Sequence, residues 1–167
     1  MEEIVIKTSI EKDKLNAIID QIYNVCRTDP YLSPCSKKEL LKAYEKKNLF
    51  LAFYKDVVVG WLLKVPFNKS CQELAAGYVI ESYRPKGVFN KLLTNALPLS
   101  RSSIIVTFNY PFAKYLLWKT GFRNSSLIEA IKLSRGKFIF NRVKIERIKA
   151  IYKHYQQNKP IYTIYNQ

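Results

Sequence analysis

The sequence predicts a single α/β (α+β mixed) domain, in which a mixed, mostly antiparallel central sheet is flanked by helices. Its 167 residues suit one domain with its own core. The 48% hydrophobic and 25% charged residues are typical of globular proteins. Apolar periodicity predicts the element order β-α-α-β-β-β-α-β-α-β. The strand–helix–strand unit in the second half implies one parallel pair in an otherwise antiparallel sheet.

In the first half of the chain, two capping boxes predict two helices and three apolar runs predict three strands. Thr8 with Glu11 and Ser36 with Glu39 fit the capping-box pattern, and each pair predicts a helix start. The loop between these helices carries two prolines. Strands are expected at residues 4–7, 49–54 and 57–65, the last two as an antiparallel hairpin.

The second half begins with a predicted fourth strand from Glu73 to Glu81, whose alternation places Glu73 and Gly77 on one face. A turn at residues 83–87 leads into a helix that starts at Val88. The remaining core elements are expected as a strand at 103–108, a helix at 111–120 and a last strand at 127–133.

Residues 134–167 are predicted to form a basic helical extension of the domain at residues 1–133. An apolar stripe of Ile145, Ile148, Tyr152 and Tyr155 indicates an amphipathic helix. We expect it to pack on the domain or on the second subunit of a homodimer.

The composition argues against a metal site, a disulfide framework and a membrane span, and it favours a basic protein with anionic partners. Three widely spaced cysteines and one histidine fit no metal-site spacing and no disulfide framework, so we predict a reduced, cytoplasmic protein without a metal. No apolar run is long enough to span a membrane. The 28 Lys and Arg residues outnumber the 13 acidic residues, giving a net charge of +15. Such a surface favours anionic partners: nucleotides, nucleic acid or anionic lipid headgroups.

The segment from Val79 into the predicted helix at Val88 has the physical features of a phosphate site. A strand, a turn and a helix start direct successive backbone N–H groups into one concavity, next to the positive end of the helix dipole. Gly87 allows close approach of the backbone to a ligand. Arg84, Lys86 and Lys91 are expected to place three cations around this turn.

Two motifs resemble the GNAT superfamily of N-acetyltransferases. Arg84 and Gly87 match the family pattern R/Q-x-x-G-x-G/A, in which Phe89 replaces the usual glycine or alanine. Asn109 begins a second motif that ends in Gly121-Phe122. The resemblance covers roughly residues 49–123. It implies an N-acyltransferase that passes an acetyl or other short acyl group from acetyl-CoA to a primary amine of a small molecule or peptide.

The same resemblance implies which residues would bind the cofactor. Backbone groups of Tyr78, Val79 and Ile80 would hold the pantetheine amides, as an added strand would. The other implied cofactor-binding residues are Arg84, Pro85, Lys86, Gly87, Val88, Phe89, Asn90 and Asn109.

Acyl transfer needs a base for the amine proton and a donor for the leaving thiolate. Glu73 is the candidate base, and Tyr115 is the candidate donor because Leu117 occupies the position of the family's usual tyrosine. Tyr31 and Glu81 are candidate substrate-binding residues. By the resemblance, the loop at 28–36 and the region 124–129 would build the acceptor site.

Two alternatives remain open. Phe89 and Leu117 also fit a GNAT-like protein that binds coenzyme A and has lost catalysis. The tail from Ser134 to Lys159 holds eight Lys or Arg residues and one acid, which also fits a basic nucleic-acid binding module. Binding of acetyl-CoA separates the enzyme from the nucleic-acid module, and turnover separates it from the inactive form.

Overall fold

The structure is a computed structural model that describes residues 3–97, 102–142, 148, 152 and 159–166. Within these residues, the strands are β1 (Ile4–Lys7), β2 (Leu49–Tyr54), β3 (Val57–Pro66), β4 (Cys71–Val79), β5 (Ser102–Thr107), β6 (Arg123–Ser125) and β7 (Ile161–Tyr165). The helices are α1 (Lys12–Thr28), α2 (Lys37–Glu45), α3 (Val88–Ala96), α4 (Tyr110–Lys119), α5 (Leu127–Ser134) and α6 (Lys137–Phe140). A short 3-10 helix, Glu81–Lys86, separates β4 from α3.

The strands form one sheet in the order β1-β2-β3-β4-β5-β7-β6. The pairs β1–β2, β2–β3, β5–β7 and β6–β7 are antiparallel. The parallel pair is β4–β5, in which Cys71–Glu73 lie opposite Ser102–Ile104. The predicted mixed, mostly antiparallel sheet flanked by helices is therefore confirmed.

The chain divides into two compact units that share β4. The first comprises Met1–Val65 and Ala75–Leu97, and the second comprises Pro66–Leu74 and Pro98–Gln167. The first four residues of β4 thus belong to the second unit, and the last five belong to the first.

The first unit has an apolar core between α1, α2 and the strands β2 and β3. Its buried members are Ile18, Ile19, Ile22, Cys26, Cys35, Leu40, Leu49, Leu51, Phe53, Val58, Trp61, Leu63 and Ala76. On α1 the spacing 18, 19, 22, 26 gives the single apolar stripe expected of a surface helix. Full burial of one such leucine or isoleucine stabilises the fold by about 1.5–3 kcal/mol relative to its exposure.

Only the second of the two predicted capping boxes forms. The Ser36 side chain accepts a hydrogen bond from the Glu39 backbone N–H, and the Glu39 carboxylate accepts one from the Ser36 N–H. The prediction for Thr8 and Glu11 is wrong, because α1 begins at Lys12 and its N-cap, Glu11, makes no side-chain capping hydrogen bond. The core-facing stripe, not a cap, therefore defines where α1 lies.

In the second unit, the predicted last strand at residues 127–133 is wrong, because this segment is helix α5. The Ser126 side chain accepts a hydrogen bond from the backbone N–H of Glu129 at 3.2 Å and so caps the helix. Ala130 and Ser134, one helical turn apart, are its buried residues. The helical period and the cap outweigh the β-propensity of the isoleucines.

The last strand of the sheet is instead β7, which the sequence analysis missed within the segment predicted as a helical extension. It lies between β5 and β6, and its residues Thr163 and Ile164 are buried. Of the predicted apolar stripe, Ile145 and Tyr155 lie outside the described residues, whereas Ile148 and Tyr152 are described and exposed. No helix in the described part of the chain combines the length and apolar character that a bilayer crossing requires.

Candidate functional site

The predicted phosphate turn is open at Gly87. This residue has φ +69°, a left-handed conformation that favours glycine, and it is the N-cap of α3. A Cβ added to Gly87 would meet no atom within 4 Å. The first N–H groups of any helix have no acceptor inside that helix, and they carry its positive partial charge. The space beside Gly87 is therefore open at a helix start, although Gly87 itself is half-buried and Val88, which follows it, is fully buried.

Phe89 does not obstruct this turn, because its ring packs on β4. A Cβ built on Gly77 would lie 2.9 Å from Phe89 Cε2 and 3.0 Å from Leu62 Cδ1. Gly77 thus leaves the room that the Phe89 ring occupies. The bulky residue at the position of the family's glycine or alanine is accommodated by a glycine on the neighbouring strand.

Two of the three expected cations lie at the turn, and each has an intramolecular partner. The Arg84 Nε donates a hydrogen bond to the Val79 carbonyl at 3.1 Å. The Lys86 ammonium lies 4.9 Å from the ring centre of Tyr54 and 4.6 Å from that of Tyr83. Binding of a phosphate by Lys86 would therefore compete with a cation–π contact of modest strength.

The expectation that Lys91 lies at the turn is wrong. Its ammonium contacts the Glu3 carboxylate at 3.3 Å and the Ile4 carbonyl at 3.2 Å. Lys91 lies one helical turn after Gly87, and its side chain reaches the start of β1 instead. The local positive charge at the turn consequently comes from Arg84 and Lys86.

The end of β4, where the pantetheine amides are predicted to bind, is partly engaged within its own unit. The Ile80 N–H donates a hydrogen bond to the Val59 carbonyl at 2.9 Å, and the Val79 carbonyl accepts the bond from Arg84. The Tyr78 ring stacks on Trp61 with centroids 4.8 Å apart. The Tyr78 side chain therefore contributes to the core, and a ligand contact there is left to its backbone.

β4 is interrupted in its middle, at Ala76, which the residue pattern did not predict. Ala76 has φ +49°, a left-handed conformation that is typical of the first residue of one kind of β-bulge. The alternation predicted to run from Glu73 through Gly77 does not continue through such a residue. The residue type at position 76 did not indicate this bulge, because alanine is not a typical turn residue.

In the second unit, the candidate base Glu73 is buried and forms an ion pair. Only 6% of the residue is exposed, and both carboxylate oxygens accept hydrogen bonds from Arg142, at 2.5 and 3.3 Å. The Arg142 guanidinium also lies 3.5 Å from the ring centre of Phe138. Each oxygen keeps a second lone pair, at which a proton from an amine could be accepted while Arg142 stays bound.

Arg142 is the residue at this site that sequence reasoning did not find. It lies 69 residues from Glu73 in the chain, within a segment where basic residues are frequent. The RxxG and Gly-Phe motifs gave no indication of it. A buried carboxylate in the first residues of β4 does imply that a cation lies nearby.

The candidate donor Tyr115 is half-buried on α4. Its ring stacks on that of Phe112, with centroids 6.3 Å apart, and burial raises the pKa of its phenol. A raised pKa keeps the phenol protonated at neutral pH, as a donor to a thiolate must be. Asn109 caps α4 by accepting a hydrogen bond from the Phe112 N–H at 3.0 Å. The side-chain oxygen of Asn109 is therefore engaged in capping α4.

The candidate acceptor residues lie in different units, and Tyr31 and Glu81 are exposed whereas Glu129 is half-buried. In the first unit, the Tyr31 N–H donates to the Asp29 carboxylate at 2.8 Å, and Glu81 begins the 3-10 helix. In the second unit, Glu129 accepts hydrogen bonds from Arg123 and, at 2.7 Å, from the Ser125 hydroxyl. These two contacts lower the pKa of Glu129 to about 2, so its carboxylate stays ionised at neutral pH.

No model of a known protein family and no curated protein matches the sequence. Solved structures do match over nearly the whole chain. Rv2747 from Mycobacterium tuberculosis, in complex with CoA, is 13% identical with a TM-score of 0.68, covering 98% of this chain and 99% of that one. Naa50 from Arabidopsis thaliana, in complex with the bisubstrate analogue CoA-Ac-MVNAL, is 14% identical with a TM-score of 0.64, covering 98% and 99%.

Two further solved structures also match the chain. An acetyltransferase of the GNAT family from Staphylococcus aureus is 14% identical with a TM-score of 0.65, over 98% of this chain and 99% of that one. N-acetylglutamate synthase from Neisseria gonorrhoeae is 12% identical with a TM-score of 0.63, over 97% of this chain. The alignment covers 34% of the Neisseria chain, so this protein spans about a third of its length. The chain has the fold of the GNAT acetyltransferases.

Proposed function

We propose that the protein is an acyl-CoA-dependent N-acyltransferase that acylates a primary amine of a small molecule or peptide. The observation that carries the proposal is the open turn at Gly87, which precedes a helix start within this fold. Relatives in fold such as Rv2747 and Naa50 were crystallised with coenzyme A or an analogue of it. The acceptor class is supported by the peptide portion of the Naa50 analogue and by the N-acetyl-glutamate in the complex of the Neisseria synthase.

The residues at the turn fit a pyrophosphate. Arg84, Lys86 and the backbone around Gly87 would hold the phosphates, and the end of β4 would hold the pantetheine amides by backbone hydrogen bonds. The Phe89 ring, packed on Gly77, leaves the turn accessible. Bound acetyl-CoA supplies the acyl group as a thioester.

The remaining chemistry is assigned to two side chains of this protein. Glu73 would accept the proton of the attacking amine, directly or through a water, while Arg142 holds its carboxylate in place. Tyr115 would donate its phenolic proton to the departing thiolate, a role that its raised pKa permits at neutral pH. Both roles are inferred from the resemblance to the family and from the contacts of each residue.

The test compares two glycines that share one geometry. Gly87 and Gly136 both have positive φ, +69° and +80°, and a Cβ at either would meet no atom within 4 Å. Gly87→Glu is expected to abolish acetyl-CoA binding, because a carboxylate would stand where the phosphates bind. Gly136→Glu carries the same backbone strain and charge change, so it should bind as the wild type does.

Binding is measured by calorimetry and by the melting temperature. Ligand at a hundred times its Kd stabilises a protein by about 2.7 kcal/mol, which raises Tm by roughly 5–10 °C at this chain length. We expect this shift in the wild type and in Gly136→Glu and none in Gly87→Glu. Unchanged affinity in Gly87→Glu would refute the placement of the phosphates, and no shift in the wild type would refute the proposal itself.

A second candidate function is coenzyme A binding without catalysis. It is favoured by the bidentate hold of Arg142 on Glu73 and by Leu117 at the family's tyrosine position. Release of free thiol from acetyl-CoA over a panel of peptide and small-molecule amines separates the two. Turnover that falls in Glu73→Gln supports the enzyme, whereas binding without turnover over the whole panel supports the second candidate.

A further inference from the structure

The α5–α6 segment, Ser126–Phe140, exposes apolar side chains that the fold of its unit does not use. Phe140 is 79% exposed and Ile128 is 65% exposed, and Leu127 and Ile139 are exposed as well. The two ends of this short segment each carry two of these residues in succession. Exposed bulky side chains grouped in this way indicate an interaction surface more often than isolated ones do.

The segment is held in place by other residues, so the exposed ones are presented by a fixed support. Phe138 is fully buried, and its ring meets those of Phe67 and Tyr162 with centroids 6.1 and 6.2 Å apart. Its backbone N–H donates to the Ser134 hydroxyl at 3.1 Å. On α5, Ala130 and Ser134 are fully buried. Phe140 therefore points outward while its neighbour two residues earlier anchors α6.

The charge of the segment is positive where it is exposed. Lys132, Arg135 and Lys137 are exposed, and in the described part of the chain none of the three forms an ion pair. The acid of the segment, Glu129, is paired with Arg123. The connection between β6 and β7, residues 126–160, holds nine Lys or Arg residues and two acids. The partner is therefore expected to be anionic as well as apolar.

We propose that the α5–α6 segment docks on an anionic lipid membrane, with Ile128 and Phe140 inserted at the interface. Leucine, isoleucine and phenylalanine beside lysine and arginine are typical of protein segments that lie in the membrane surface. Single-stranded nucleic acid would call for stacked aromatic rings, and three of the four exposed apolar side chains are aliphatic. A second copy of this chain, with the same charge of +15, would be repelled. The inference does not depend on the acyltransferase activity.

The test is co-sedimentation of the full chain with vesicles. Vesicles of phosphatidylcholine with one third phosphatidylglycerol should bind the protein at low salt, and pure phosphatidylcholine vesicles should not. Phe140→Ser with Ile128→Ser is expected to weaken partitioning roughly tenfold or more, from the lost apolar burial. Lys132→Glu with Lys137→Glu should weaken it by a similar factor, and high salt should weaken wild-type binding.

Trp118→Ser is the matched control, because Trp118 is 74% exposed but lies on α4. It should bind vesicles as the wild type does, and all variants should retain the wild-type circular dichroism spectrum. Equal binding to both kinds of vesicle, or equal losses in Trp118→Ser and Phe140→Ser, would overturn the proposal. So would a wild-type dimer in sedimentation velocity that Phe140→Ser converts to a monomer, because a second copy would then cover this surface.

Discussion

The two halves of β4 differ in how they fit into their surroundings, one by shape and the other by charge. Its last five residues, in the first unit, are small or apolar, and Gly77 there makes room for the Phe89 ring. Its first four, in the second unit, include the buried polar residues Gln72 and Glu73, and Glu73 needs Arg142 as a counter-charge. One strand therefore supports the proposed cofactor region by shape and the proposed chemistry by charge.

This difference predicts that the two halves of β4 respond differently to substitution. Where shape decides, a substitution is tolerated if the packed volume is restored elsewhere. Where charge decides, removal of one partner leaves an uncompensated ion in the interior. Arg142→Met and Gly77→Ala separate these cases, with the larger effect expected for Arg142→Met, and Tyr115→Phe tests the candidate donor with a smaller effect.

Arg142→Met should have the largest effect, about 3 kcal/mol lost from the free energy of unfolding, because Glu73 would stay buried without its partner. Urea denaturation measures it. Adding Glu73→Gln should restore most of the loss, since the buried charge is then removed. Arg135→Met, at an exposed arginine of the same unit, is the control and should change stability by less than about 0.5 kcal/mol. A loss of that small size in Arg142→Met would show that charge does not govern this half of β4.

Gly77→Ala should cost about 2 kcal/mol, because the new Cβ would lie 2.9 Å from the Phe89 ring and 3.0 Å from Leu62. Phe89→Leu in the same chain should recover much of this loss, since a smaller side chain vacates the space. The coupling energy from a double-mutant cycle is the deciding quantity. Strictly additive losses would mean that Gly77 and Phe89 are not matched in shape.

Tyr115→Phe should have the smallest effect, and it should depend on pH. Burial raises the pKa of Tyr115 above 10, so the folded state favours the neutral phenol. Stability from this group is then complete below the unfolded pKa and is lost as pH rises through the folded pKa. Unfolding free energies of wild type and Tyr115→Phe should differ by a constant below about pH 9 and diverge above pH 10, with the wild type falling faster. A parallel decline would contradict the raised pKa.

Local chemistry explains which parts of the fold were predictable. The Ser36–Glu39 box and the apolar stripe of α1 depend on neighbours within a turn or two, so the sequence alone indicated them. Ser126 caps α5 through its hydroxyl in the same way as Ser36 caps α2, but the isoleucines and leucines that follow favoured a strand. β7 was missed although Ile161–Tyr165 has the β-branched and aromatic residues of a strand, because the preceding basic segment suggested a helix.

The sequence predicted the backbone conformation of the candidate site better than the contacts of its side chains. Gly87 and the helix start that follows it were found from the motif, and the structure places them together. The pairing of Glu73 with Arg142 and the match of Phe89 to Gly77 depend on contacts between separate elements of the fold. Spacing in the sequence does not report such contacts. The roles of Glu73 and Tyr115 in catalysis stay predictions.

The position of β7 also has a consequence for how the protein is made. β6 pairs with β7, and residues 126–160 separate the two strands in the chain. A nascent chain that has just completed β6 must therefore synthesise 35 further residues before β7, the partner of that strand, even begins. During this interval the facing edges of β5 and β6 expose unpaired backbone groups, which other strands can recruit. Translation pauses after residue 125 would lengthen the interval and favour aggregation over folding.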